Sequence, residues 1–404
     1  MQDPHTPARP LQGIRVLDLT SVLAGPYATQ IMGDYGADIV KVEAPGGDST
    51  RKTGPTTEAG MGALFIGTNR CKRSIVLDLK QDSARAALLR LVDDADVLIH
   101  AMRPQKMTGL GLGPDVLMAR NPRLIVVAAY GFAEGGPYSG KPAYDDIIQG
   151  LSGMAGMALR VGGEPAYMPF AMADKTCGLY AAQAVLMALV SRARDGKGCY
   201  VEVPMLEVMA GFNWVEHGWG AHFEPPLGLP GYERLLTPWR RPFKTLDGYI
   251  CLMPYTDLHW KNFLEQAGRA QLVTDPRFIG MTSRTRHIEE LYAILGETVL
   301  QRTCADWLEM CDRLDIPASR LNLMEDLQDD PHLRATGFFK TVHDKDMGSL
   351  RMPRPPLRFD HRDGAIGVPP RLGQHTREIL QEAGFDAQSI DGLIDSGAAI
   401  QRSN

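Results

Sequence analysis

Six cysteines in 404 residues, none in a C-x-x-C pair, leave neither a disulfide framework nor a zinc site to organise the fold. Scattered thiols suit a reducing compartment, and the expected location is the cytoplasm. Excess basic charge is missing as well. The formal net charge is −5, which argues against a nucleic-acid partner, because displacing counterions from phosphates needs a broad basic face. No run reaches the ~18 apolar residues of a membrane span; the most apolar stretch, 184–190, is too short, so no membrane partner is expected. The opening MQDPHTPARP has an acid and prolines where a secretory signal needs a basic and then an apolar run. No G-x-G-x-x-G follows the first strand, where Gly25 stands alone, and no Walker G-x-x-x-x-G-K-[ST] occurs, which disfavours nicotinamide, flavin and P-loop chemistry. The ten histidines have no ligand spacing, with His217 and His222 five apart, and neither H-E-x-x-H nor a Ser/His/Asp order stands out. No metal is expected.

What is present is an ordinary globular composition, 44% hydrophobic and 23% charged, in a chain longer than one hydrophobic core usually supports, so two domains are expected. Residues 11–43 read as a β-α-β unit: an apolar strand over 14–19, a helix opened by Pro26 and stopped at Gly36, and a second strand over 39–43. Further strands are expected over 74–79, 97–99, 124–129 and 199–203, with a helix at 82–92 and a long one after Asp174. Strands alternating with helices imply a parallel sheet covered on both faces, an α/β fold. Between about 206 and 242, tryptophans, prolines and glycines read as a crossing linker. A smaller α/β unit follows, with a strand over 249–253 and helices near 257–269, 286–301 and 303–313. Two helices, over 376–383 and 387–396, close the chain.

Three constellations invite chemistry. The first βα turn, residues 20–26, lies where an open parallel sheet binds ligands, although an ordinary tight turn fits it equally. Arg70, Lys72, Arg73 and Lys80 flank one strand, and Arg103 and Lys106 follow the next; they suit a phosphate-rich ligand or a solvated rim. Asp174, among small neighbours at the mouth of the long helix, suits either an N-cap worth ~1 kcal/mol or a nucleophile. A carboxylate is ionised at pH 7 and needs no general base. It serves as both only if one oxygen stays free.

Several stretches in order resemble the class III CoA-transferases, the CaiB/BaiF group that includes formyl-CoA and carnitine CoA-transferases. They are GIRVLDLTSVLAGP (13–26), GADIVKVE (36–43), NRCKRSIVLDLK (69–80) and AYDDIIQGLSG (143–153). Asp174 with Gly178, DGKGCYVEVPML (195–206) and LGQHTREIL (372–380) complete the set. The resemblance covers essentially the whole chain. It implies a Rossmann-like large domain begun by 10–205, a linker over 206–242, a small domain over 243–320, a return linker over 321–358, and C-terminal helices in 359–404 that complete the large domain. It further implies an interlocked homodimer acting on acyl-CoA and carboxylic acid substrates, with coenzyme A entering as substrate and not as a resident cofactor. Asp174 falls at the family's catalytic aspartate. The CoA moiety is implied to lie along Leu23, Ala24, Leu77, Asp78, Leu79, Lys80, Ala101, Met102, Arg103, Lys141 and Tyr144. Ala44 and Gly109 stand where relatives carry CoA-facing arginines, and Arg103 or Lys106 is expected to supply that charge. Backbone N–H groups at Gly228 or Gly231 are expected to hold the oxyanion. Arg240 and Arg241, with Arg234, are expected to hold the second carboxylate of a dicarboxylate acceptor, against the alternative of a structural cluster. Within the family, α-methylacyl-CoA racemase chemistry is the alternative; its acid–base histidine would fall at Tyr144, a poor substitute at neutral pH. A noncatalytic acyl-CoA-binding homologue would require Asp174 to be buried and fully capped.

Overall fold

A computed structural model of the chain describes residues 9–402, so most of the opening segment weighed as a signal lies outside the described residues. The chain divides into two compact units, one made of Met1–Ser152, Met168–Ala210 and His332–Asn404, the other of Gly153–Tyr167 and Gly211–Pro331. The first unit is built on a seven-stranded sheet. Its strands are β1 (Arg15–Leu19), β2 (Asp38–Glu43), β3 (Lys72–Leu77), β4 (Val97–His100), β5 (Ile125–Tyr130) and β6 (Tyr200–Pro204), with Ala399–Ile400 at one edge. Across the sheet the order is Ala399–Ile400, β3, β2, β1, β4, β5, β6. All pairs are parallel except the last-made one, in which Ala399 and Ile400 run antiparallel to Leu77 and Val76.

Strands β4 and β5 are almost wholly apolar, as strands with helices over both faces are, whereas β1, β2 and β3 carry charges among their apolar residues; alternate residues serve opposite cores. Leu17, Val40, Ile75, Leu98 and Val126 pack with Leu88, Leu91, Ile379 and Leu380. Val16, Ile39, Val97, Ile99 and Val127 pack on the other side with Ala28 and Met32 of α1 (Ala24–Asp34) and with Ala181, Val185 and Ala188 of the long helix Met172–Asp195. By length and composition that 24-residue helix could cross a membrane, a correction to the expectation that no segment reaches that size. In this fold it is an α1- and sheet-packed core helix on its Ala181–Val185 face.

A charged network crosses β1, β2 and β3, with Asp18 and Glu43 toward the carboxyl ends of β1 and β2 and Lys72 at the amino end of β3. Asp18 has no solvent exposure; it accepts hydrogen bonds from Lys72 Nζ at 3.1 Å and Thr29 Oγ1 at 2.6 Å. Lys41 Nζ donates to Asp48 at 3.0 Å and to the Thr20 carbonyl at 3.1 Å. Arg51 holds Glu43 through two bonds of 2.7 and 2.6 Å, and Glu43 also accepts the Asp48 N–H and the Ser74 hydroxyl. Burial disfavours the Asp18 carboxylate, yet Lys72 and Lys41 outweigh it and hold the acid well below its usual range. Burial pulls Lys72 down to about 8, with Asp18 opposing the fall. Three acids and three bases balance here, the condition under which buried charges are tolerated.

The second unit has its own core around Phe263, Leu291, Leu295 and Trp307. A three-stranded antiparallel sheet of Phe243–Lys244, Tyr249–Leu252 and Ala318–Arg320 carries helices Asp257–Gln266, Ile288–Val299 and Cys304–Arg313. Thr303 and Asp306 form a capping box at the last of these. Three expectations about the connections need correction. The stretch read as a linker from 206 begins inside helix Met205–His217. The stretch 321–358 contains the hairpin Phe339–Asp344 and Gly348–Pro353. Residues 153–167, assigned by sequence to the large domain, belong to the second unit.

Replacing Lys41 by Met would leave Asp18 and Asp48 buried without one of their counter-charges. Breaking a buried pair from one side costs roughly 3–5 kcal/mol, so chemical denaturation of K41M should show a loss of that order; a loss near zero would mean that the network is not coupled to stability.

Candidate active site

The first βα turn ends where α1 begins. Leu23 is the N-cap of α1 and no side chain caps this helix; Pro26 has no N–H, so the Ala24 and Gly25 amides are left without a side-chain acceptor at the carboxyl edge of the sheet, an arrangement suited to anions. The turn is strained. Val22 adopts φ +70°, which a β-branched residue rarely does, and its N–H is taken by Asp48 Oδ1 at 3.3 Å. Gly25 is required here, because a Cβ would lie 2.3 Å from the Thr20 side chain.

Beside this turn the sheet's carboxyl edge opens into a cleft of about 410 Å³, lined by Leu19, Thr20, Ser21, Ala44, Gly47, Ser49, Leu77, Asp78, Leu79, Lys80, Met102, Lys106 and Leu110 among others. Five residues singled out from sequence, Leu77, Asp78, Leu79, Lys80 and Met102, thus share one cavity, and Ala101 and Arg103 adjoin it in the chain. Ala44 lines it, where relatives carry arginine. Lys106 is exposed and faces it, whereas Arg103 Nη1 donates to the Gly140 carbonyl at 3.1 Å. Gly109, the other departure, ends the short helix Pro104–Gly109. Lys141 is exposed and stacks its ammonium 4.7 Å from the Tyr138 ring centroid.

The cation cluster read from sequence does not assemble. Arg70 pairs with Asp34 at 2.7 Å, Lys72 with Asp18, and Arg73 with Asp38, Glu378 and Glu382. Their charges are spent inside the protein, and of that strand's four cations only Lys80 reaches the cleft. An acidic trio, Glu58, Asp344 and Asp346, also comes together, but Arg371 lies across it and pairs with Glu58 and Asp344.

Asp174 is the third residue of its helix, two past the start at Met172; the N-cap is Ala171 and contributes no side-chain bond. The cap reading is therefore corrected. The carboxylate of Asp174 makes no hydrogen bond among the described residues, while its backbone N–H donates to Asp145 Oδ1 at 2.9 Å. The side chain is half-buried. Burial, and then the negative charge of Asp145, push its pKa up to about 6, outweighing the positive helix end that favours its anion. One turn on, Gly178 lets the long helix close against α1: a Cβ there would sit 2.6 Å from the Ala24 carbonyl oxygen and 3.2 Å from Tyr27. Residues four apart share a helix face, so Asp174 stands on the side that meets the N-terminus of α1. Tyr144 is the N-cap of helix Asp145–Leu151 and is 70% exposed. Sequence reasoning passed over Asp145 and Gln149, although their i, i+4 spacing was visible inside AYDDIIQGLSG.

Residues 11–376 match the profile described as CoA-transferase family III. The chain belongs to that family. It is 33% identical to a probable fatty acyl-CoA transferase of Mycobacterium tuberculosis, over 93% of this chain and 98% of that one. It is 32% identical to a succinate–glutarate CoA-transferase of Agrobacterium fabrum, over 92% and 95% respectively. The crystal structure of Rv3272 from M. tuberculosis superposes with a TM-score of 0.80 at 32% identity, covering 93% of this chain and 100% of that one. A CaiB/BaiF family protein from Brucella suis gives 0.77 at 30% identity, covering 93% and 100%.

The residues expected to receive an acceptor lie in the second unit. Arg240 and Arg241 line an apolar cleft of about 470 Å³ with Phe243, Met253 and Tyr292, and neither forms an ion pair among the described residues. Arg234 is buried behind it, its Nε bonded to the Tyr292 hydroxyl at 3.0 Å and its guanidinium over the Tyr255 ring; it is a structural cation, which corrects its pairing with Arg240 and Arg241 as a ligand group. Gly228 and Gly231 border a different cleft. The Gly231 N–H is already given to the His217 carbonyl at 2.7 Å, so it is not the free oxyanion donor expected of it.

Because folding raises the pKa of Asp174, the fold favours its protonated form. Below the unfolded value near 3.9 the residue is neutral in both states; between there and about 6 only the unfolded state ionises, so stability falls as pH rises through that window. Asp174→Asn should thus match the wild type at pH 4 and melt roughly 2–4 °C higher at pH 7, measured by calorimetry across that range.

Proposed function

We propose that this CoA-transferase moves CoA from an acyl-CoA to a carboxylic acid with Asp174 as nucleophile. The observation that carries the reading is a half-buried carboxylate, free of hydrogen bonds, at the mouth of the long helix. A pKa of about 6 leaves it roughly ten-fold more ionised than protonated at pH 7, yet more basic than an ordinary aspartate. A Asp174 oxygen attacks the thioester carbonyl, the C–S bond breaks, and CoA leaves as thiolate from a mixed anhydride. The thiolate then attacks the aspartyl carbonyl, releasing the donor acid and leaving an aspartyl-CoA thioester. The acceptor carboxylate displaces CoA to form a second anhydride, and the thiolate attacks the acceptor's acyl carbon, which yields the new thioester and restores Asp174. Each addition proceeds through an oxyanion, for which one donor is worth ~2.7–4 kcal/mol in comparable sites.

The CoA moiety is assigned to the cleft of Leu77, Asp78, Leu79, Lys80 and Met102, with Leu23 and Ala24 at its α1 edge and Ala101, Arg103, Lys141 and Tyr144 beyond. Its phosphates are met by Lys80, Lys106 and the open α1 amides and not by Arg70, Lys72 or Arg73, whose charges are spent. Arg240 and Arg241 support a dicarboxylate acceptor, in keeping with the succinate and glutarate named for the Agrobacterium relative. The phenol Tyr144, at the place where racemisation calls for a histidine, supports transfer over α-proton exchange.

Incubation with acyl-CoA and hydroxylamine should convert Asp174 to its hydroxamate, read by peptide mass spectrometry, and Asp174→Asn should abolish CoA exchange while remaining folded. An active enzyme unlabelled at Asp174 rejects the mechanism. In the same exchange assay Lys80→Gln and Lys106→Gln should each raise KM for acyl-CoA by roughly ten-fold, the equivalent of ~1.4 kcal/mol, with kcat little changed; an unaltered KM in both removes the phosphates from this cleft.

A further inference from the structure

The nucleophile is bare because another residue does its capping. A helix start leaves N–H groups without partners, and at the long helix neither Ala171 nor any residue of the first turn supplies a side-chain acceptor. The acceptor comes from a separate helix. Asp145, first residue of Asp145–Leu151, accepts the Asp174 N–H with Oδ1 at 2.9 Å and the Gln149 amide Nε2 with Oδ2 at 2.5 Å. Gln149 has no solvent exposure and is fully used: Nε2 also donates to the Phe170 carbonyl at 3.2 Å, and Oε1 accepts the Met168 N–H at 2.9 Å. Two side chains one helical turn apart therefore grip the chain at 168, 170 and 174.

We propose that Asp145 and Gln149 form the positioning pair of the nucleophile, in which Gln149 fixes the approach to the helix and Asp145 takes the cap role in place of Asp174, bringing a second carboxylate to the helix start. The proposal rests on Asp174 being the nucleophile only for its catalytic consequence; the geometry and the charge effect stand apart from it. The other ionisable groups near Asp174 do not supply that charge. Lys175 turns its ammonium to within 4.9 Å of the Phe170 ring centroid. Cys177, one turn on, is buried, and burial followed by the charges of Asp174 and Asp145 pushes its thiol up to about 12, so it is neutral. From α1, Tyr27 packs beside Gly178. Asp145 is the charge that the Asp174 carboxylate feels after burial itself.

The arrangement has a chemical logic. Had Asp174 capped its own helix, one oxygen would be tied to an N–H and its anion stabilised, giving a weaker nucleophile. Delegating the cap leaves both oxygens untied, and a like charge nearby raises basicity without protonating the group at neutral pH.

The test reads Asp174 directly. In protein carrying 13C at the aspartate carboxyl carbons, the Asp174 signal, identified by its loss in D174N, should titrate near pH 6 and move at least half a unit lower in Asp145→Asn, which keeps an acceptor for the N–H but removes the charge. The acid limb of kcat/KM should move with it. Asp145→Ser serves if the Asn variant does not fold. Gln149→Met should lower kcat several-fold while leaving the titration near 6, because Asp145 keeps its charge. An Asp174 titration unmoved by loss of the Asp145 charge overturns the inference, whatever happens to activity. Failure of the nucleophile assignment reads out differently, as active enzyme with no hydroxamate at Asp174.

Discussion

Three neighbouring strands, β1, β2 and β3, are pinned together by buried ion pairs. Asp18, Lys72, Lys41, Asp48, Glu43 and Arg51 come from β1, β2, β3 and the segment after β2. Each charge is affordable only because the next one is in place. The network fixes Asp48, Asp48 takes the N–H of Val22, and Val22 is thereby kept in a left-handed conformation that costs of order 1–3 kcal/mol. That turn in turn aims the start of α1, and α1 is the surface against which Gly178 and the long helix that carries Asp174 close. The stability of the network is spent on a geometry at the site.

The site divides its labour between charges that are neutralised and charges that are left open. Around the network every cation has its acid. Among the described residues Lys80 and Lys106, at the cleft edge, form no ion pair, and the Asp174 carboxylate, at the long helix, accepts no hydrogen bond. Among the described residues only Arg284 Nε and Arg354 Nε are buried side-chain polar atoms without a partner, so charges left open at the cleft and the long helix stand out. In the second unit Arg240 and Arg241 likewise form no ion pair among the described residues, although Arg241 lies over the Trp239 ring, while Arg234, only a few residues earlier, is packed against Tyr292 and Tyr255.

Local pattern made much of this legible. The first β-α-β unit and the helix Asp82–Val92 follow from apolar spacing, Pro26 and Gly36, all of which act within a few residues. The fate of the basic residues was not legible, because their partners are remote: Asp34 lies 36 positions before Arg70, and Glu382 lies 309 after Arg73. Nothing in a linear run of Arg and Lys says whether its counter-charges will arrive. The role of Asp174 turned on a helix boundary, which sequence places to within a few residues at best, and a shift from N-cap to third position changes its chemistry completely. The helix Met205–His217 was hidden by a tryptophan- and glycine-bearing composition that resembles a connection. Asp145 lay in plain view, but a carboxylate whose task is to hold another residue's N–H has no signature of its own.

One edge of the large sheet carries a further consequence. Strand β3 is finished early in the chain, yet its outer hydrogen bonds are met by Ala399 and Ile400, some 320 residues later. During synthesis on the ribosome β3 therefore presents an open edge for most of the time the chain is being made, and the whole second unit is produced before that edge can be covered. Contacts of such sequence separation form slowly, and unpaired edges are where nascent chains stick to one another. The antiparallel closing strand thus makes the yield of active enzyme in a cell a matter of how long the unfinished chain is shielded.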